Sequence, residues 1–114
     1  MRALSDLQLP QQLWSALQET KRRISADFAV DRIVLFGSVV RGEADEESDV
    51  DLLIVLREPS NHLVRNQISR LLLDINLKYD TNLSGLVVEQ PAWDEGLLTV
   101  LPIRTEIQEE GIRL

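Results

Sequence analysis

The chain has 114 residues, 44% of them hydrophobic, no cysteine and a formal charge of −7. That length carries one domain with a real core, and that apolar fraction argues against disorder. Without cysteine there is no disulfide or thiolate metal site, which fits a reducing cytosol, and no apolar run reaches the roughly 20 residues that cross a bilayer.

The N-terminus, Met1-Arg2-Ala3-Leu4-Ser5-Asp6, has no signal-peptide core. From about Pro10 to Phe28, the residues Leu13, Trp14, Leu17, Ile24 and Phe28 recur at helical spacing. Pro10 suits the first turn of that helix. Within it, Lys21-Arg22-Arg23 reads as a solvated face. It is the only basic run, and gripping long nucleic acid calls for a larger basic patch. The acidic balance suits a metal–nucleotide substrate or a basic protein partner instead.

Arg32-Ile33-Val34-Leu35-Phe36 is β-rich and stops at Gly37, which predicts a buried strand. Residues 37–49 form an acidic, Gly-containing connection that opens with a short helix at Ser38. Glu43, Asp45, Glu46 and Glu47 read as its solvated surface. Val50 to Leu56 is a second buried strand. Pro59 and Ser60 mark a helix start, with Ser60 or Asn61 as N-cap. Val64, Ile68, Leu71, Leu72, Ile75 and Tyr79 give that helix one apolar face. Asp80-Thr81-Asn82 is a turn, and Leu83 to Val88 a third strand. Pro91-Ala92-Trp93 opens a short helix. Pro102 opens another, ending near Gly111 as a C-terminal glycine cap. The order α-β-(α)-β-α-β-α predicts an α/β (α+β) fold, a small mixed sheet flanked by helices, as one domain over 1–114.

Two stretches carry chemistry. Leu35-Phe36-Gly37-Ser38-Val39-Val40-Arg41-Gly42 ends one strand on a Gly-Ser pair. Gly37 has no Cβ, so a phosphate can approach the backbone. A helix starting at Ser38 would turn free N–H groups and a positive dipole end towards an anion. The Ser38 hydroxyl adds a donor, and Arg41 follows one turn on. The second stretch, Ser48-Asp49-Val50-Asp51-Leu52, opens the next strand with two carboxylates. Residues two apart on a strand share a face, about 6.5–7 Å apart at Cα. Asp49 and Asp51 can therefore converge on magnesium, which prefers carboxylate, water and phosphate oxygens. A calcium loop from Asp45, Glu47 and Asp49 fails: Val50 holds the glycine position, and Leu56 stands where a bidentate glutamate belongs.

Ten residues separate Ser38 from Asp49. The pattern Gly-Ser-x10-Asp-x-Asp resembles the nucleotidyltransferase superfamily that includes DNA polymerase beta and kanamycin nucleotidyltransferase. Phe36-Gly37-Ser38, Arg41-Gly42 and Ser48-Asp49-Val50-Asp51-Leu52 look like its minimal branch, the MNT proteins. The resemblance implies a polymerase beta palm-like fold, a triphosphate on Gly37 and Ser38, Mg2+ on Asp49 and Asp51, and phosphate neutralised by Arg41. Many members carry a third carboxylate on the later strand, where this chain has Ser84 and Gly85. Glu89 is a weak substitute. His62 reads as exposed, Trp14 and Trp93 as packing residues, and Tyr79 as core.

MNT proteins commonly pair with a HEPN-domain RNase toxin. The resemblance therefore implies an antitoxin that transfers AMP from ATP to a tyrosine of that toxin. A chain this short is expected to lack a second domain for a small substrate, which favours a protein acceptor. The alternatives are a small-molecule nucleotidyltransferase of the aminoglycoside-modifying kind and a binding-only antitoxin. The apolar tail Ile103, Ile107, Ile112 and Leu114 is expected to hold the partner, with acidic residues steering association.

Overall fold

The computed structural model describes residues 4–43 and 48–114. Asp45, Glu46 and Glu47 lie outside the described residues, as do Met1, Arg2 and Ala3. After a short 3₁₀ turn at Leu4–Asp6 come α1 (Gln11–Asp27), β1 (Val30–Phe36) and the single-turn α2 (Ser38–Arg41). Next are β2 (Val50–Leu56), α3 (His62–Tyr79) and β3 (Leu83–Glu89). Then follow α4 (Gln90–Asp94), a 3₁₀ turn at Leu97–Val100, α5 (Pro102–Glu110) and β4 (Ile112–Arg113).

The four strands lie in the order β3-β2-β1-β4. β1 runs antiparallel to both β2 and β4, while β2 and β3 are parallel. A parallel neighbour needs a crossover, and α3 supplies it. The Asn61 side chain caps α3, accepting the Val64 N–H at 2.9 Å.

Strand alternation sorts the side chains into two cores. Ile33 and Leu35 of β1 and Val50, Leu52, Ile54 and Leu56 of β2 pack beneath α1 and α3 with Leu17, Ile24, Ile68 and Ile75. Val34 and Phe36, with Leu53 and Val55, face the other way and meet Val88, Trp93 and Ile107. Because Asp51 has the parity of Leu53 and Val55, it faces the α4–α5 side.

One buried polar cluster ties α1 to α3. Glu19 accepts hydrogen bonds from Lys78 Nζ at 2.7 Å and Tyr79 Oη at 2.8 Å, and pairs with Arg23 at 3.3 Å. Three donors on one carboxylate hold its pKa down to about 2, the Lys78 bond contributing most.

The C-terminus departs from expectation. The last helix ends at Glu110, with the Gly111 N–H bonded to Ile107 O at 2.7 Å, but the glycine has φ −64°, not a left-handed conformation. A fourth strand follows, pairing Ile112 with Leu35 and Arg113 with Val34. Ile112 and Ile107 are only 1% and 4% exposed. The apolar tail expected to hold a partner therefore fills this domain's own cores. The exposed apolar residues lie elsewhere, with Leu97 at 88% and Val100 at 82% exposure.

Candidate active site

Strand β1 ends on Phe36, which pairs with Asp51 of β2. That register sets the Gly-Ser turn against the head of β2. Gly37 has φ +85° and ψ −157°, a region only glycine occupies readily. The turn then winds into α2, which closes at Gly42 in the left-handed region with φ +72°. The Gly42 and Glu43 N–H groups return to Val39 O and Ser38 O. The short helix expected at Ser38 is present, and its Val40 N–H donates to Gly37 O at 3.2 Å. Ser38 is half-buried, and Val40 anchors the turn in the α1–α3 core.

Asp51 stands beside this turn. A Cβ built on Gly37 would meet Asp51 Oδ2 at 2.5 Å, so the glycine leaves the carboxylate its room. Burial pushes the Asp51 carboxyl up, and Asp49 and Glu106 push it further, against Arg41. Asp49 lies just before β2 and is exposed. Two carboxylates that repel each other, one half-buried beside the Gly37-Ser38 turn, have the donor chemistry of a hard cation site. The chemistry of these two carboxylates would suit magnesium, with Asp49 and Asp51 as the residues that would hold it. Among the described residues no group of three acidic, histidine or cysteine side chains could hold a metal ion.

The parallel register of β2 and β3 decides the third position. Asp51 faces Ser84 and Leu52 faces Gly85, so no carboxylate stands opposite Asp51. Glu89 lies five residues beyond Ser84, paired with Leu56, about 17 Å along the strand. Its carboxylate accepts a hydrogen bond from Ser60 Oγ at 3.4 Å instead. Glu89 therefore cannot complete the site, because a strand rises too far in five residues.

Arg41 does reach the corner, but carboxylates hold it. Its Nε lies 3.1 Å from Glu43 Oε2, and its Nη1 lies 3.1 Å from Glu106 Oε1 and 3.0 Å from Glu110 Oε2. Sequence reasoning missed Glu106 and Glu110. Their spacing of four on an amphipathic helix was the only signal, and many surface helices share it.

The remaining candidates lie away from this corner. His62 is exposed at the start of α3. Trp93 is buried between the sheet and α5, and Trp14 lines a groove along α1 with Gln18, Arg22 and Tyr79. Tyr79 packs against the core with its hydroxyl on Glu19. No helix among the described residues is long and apolar enough to cross a membrane.

The nucleotidyltransferase domain model matches residues 17–111, a span that contains the turn, both aspartates and strands β1, β2 and β3. The chain belongs to the nucleotidyltransferase domain family. It is an enzyme of that class. It is similar to Putative protein adenylyltransferase MJ0141 of Methanocaldococcus jannaschii, with 37% identity over 76 residues, covering 65% of this chain and 77% of that one. Protein adenylyltransferase MntA of Thermococcus cleftensis is 44% identical over 48 residues, 42% of this chain and 48% of that protein. Among solved structures, a toxin–antitoxin complex with AMP-PNP contains a chain that shares this fold, with a TM-score of 0.59. The match has 13% identity and covers 91% of this chain and 72% of that one. The mixed sheet flanked by helices is thus a nucleotidyltransferase fold.

Proposed function

We propose that this nucleotidyltransferase transfers AMP from ATP to a hydroxyl of a partner protein and acts as the antitoxin of a toxin–antitoxin pair. The observation that carries this reading is the packing of Asp51 against the Gly37-Ser38 turn. One corner thereby offers phosphate donors and metal-binding carboxylates side by side. Gly37 and Ser38 would seat the triphosphate, and Arg41 would take part of its charge. Asp49 and Asp51 would hold Mg2+, which when bound neutralises phosphate charge and aligns the reacting oxygens. With the α-phosphorus so held, an acceptor hydroxyl forms the new P–O bond, pyrophosphate leaves and the hydroxyl proton goes to solvent.

ATP as donor and protein as acceptor are supported by the names of the two similar adenylyltransferases. A toxin partner is supported by the shared fold of the complex with AMP-PNP. By resemblance the partner is a HEPN-domain toxin and the acceptor a tyrosine. The chain's acidity suits a basic RNase surface. A second reading, a binding-only antitoxin, is favoured by Ser84 and Gly85 standing where a third carboxylate would sit.

The test is incubation with labelled ATP, Mg2+ and the product of the neighbouring gene, followed by intact mass. Addition of AMP to that protein supports the proposal. A stable complex without label supports the binding-only reading. The absence of both label on that protein and a complex with it overturns both readings.

A further inference from the structure

Arg41 is the one cation the phosphate turn brings to the triphosphate corner, yet three carboxylates occupy it. Glu106 and Glu110 lie one turn apart on α5 and converge on the same nitrogen, Nη1, at 3.1 and 3.0 Å. Glu43 takes Nε at 3.1 Å. The planar guanidinium binds carboxylate and phosphate oxygens with the same fork of N–H groups, so the two anions compete for it. The three side chains remain partly open to solvent, with Arg41 at 34%, Glu106 at 46% and Glu110 at 39% exposure. An arriving anion can therefore reach this pair and exchange with it, and exposed ion pairs are weak enough to break.

We propose that Glu106 and Glu110 form a latch that holds Arg41 on α5, and that a triphosphate must displace them to claim it. This rests on the reading of Arg41 as a phosphate ligand. In the exchange Arg41 trades carboxylate oxygens for phosphate oxygens, and the two glutamates turn to water. The latch lowers affinity for free nucleotide. It also couples nucleotide binding to the hold on α5, whose far end leads through Gly111 into β4. Glu106 and Glu110 are affinity-setting residues that act through Arg41.

The test is calorimetric titration of Mg–ATP into the parent, Glu106→Gln/Glu110→Gln, Arg41→Gln and the triple variant, with folding checked by circular dichroism. The double Gln variant should bind about threefold to tenfold tighter than the parent, the scale of two exposed ion pairs. In the Arg41→Gln background the same two changes should alter affinity by less than about twofold. Unchanged or weaker binding by the double variant overturns the latch. An equal gain in the Arg41→Gln background also overturns it, since the glutamates would then act by direct repulsion of the nucleotide. Binding by no folded variant removes the nucleotide reading itself, and the latch with it. Binding by the double variant but not the parent supports both.

Discussion

A methyl group on Gly37 would stand 2.5 Å from Asp51 Oδ2. The glycine at the end of β1 and the aspartate in β2 thus share one volume, and a side chain at Gly37 would displace the carboxylate. Gly37 is required twice, for its φ of +85° and for the carboxylate it admits.

Gly37→Ala should therefore strain the backbone by about 1–3 kcal/mol and push the Asp51 carboxylate aside. Displacing a reacting group by about 1 Å costs on the order of a hundredfold in rate. Transfer activity should fall by at least that factor, with a lower Tm. Wild-type turnover in Gly37→Ala would mean that Asp51 does not act from this position.

The aspartate pair yields a metal prediction. Asp49→Asn/Asp51→Asn should abolish transfer, because neutral amides do not hold magnesium against its hydration. The fold should persist and even gain stability at neutral pH. The raised pKa of Asp51 means that its charged form is unfavourable in the folded chain, through burial and through Asp49 and Glu106. Mg–ATP at a hundred times its Kd should stabilise the parent by about 2.7 kcal/mol and leave the double variant unmoved. Thermal melts with and without Mg–ATP measure both effects.

Glu19 supplies the pH dependence. Its folded pKa is held down to about 2 by Lys78, Tyr79 and Arg23, against an unfolded value of 4.5. A depressed carboxyl pKa contributes stability that is complete above the unfolded value and lost as pH falls through the folded one. Glu19→Gln should therefore lower Tm most at pH 7. The gap to the parent should close between pH 4.5 and about 2. A gap independent of pH would show that packing, not charge, is what Glu19 contributes.

Gly111 is a position where size matters and handedness does not. Its φ is −64°, but an added Cβ would meet Ile107 O and lie 2.5 Å from Val34 Cγ1. Gly111→Ala should cost about 1–3 kcal/mol by overpacking and loosen the β4 pairing. Hydrogen exchange at Leu114, whose N–H donates to Ile33 O at 2.9 Å, should quicken before that of β1 and β2. Unchanged protection there would contradict a tight junction between α5 and β4.

What the residues alone determine here is local. A continuous apolar run identifies β2 as buried on both faces apart from Asp51. The break after Phe36 places the Gly-Ser turn, and Pro59 with Ser60 or Asn61 marks the start of α3, Asn61 being the cap in the fold. Each signal lies within a few residues of the structure it specifies, so the motif and its chemistry are readable before any fold is known. The tertiary structure decided which local pieces meet. Glu89 carries a carboxylate as Asp51 does, but the β2–β3 register sends it about 17 Å away. Ile112 and Ile107 look like a sticky tail until β4 pairs with β1 and turns both inward. Arg41 receives Glu106 and Glu110 from 65 and 69 residues away. Periodicity specifies the face on which a side chain lies, whereas contact depends on where two faces are brought by register and packing, and that is a property of the whole chain.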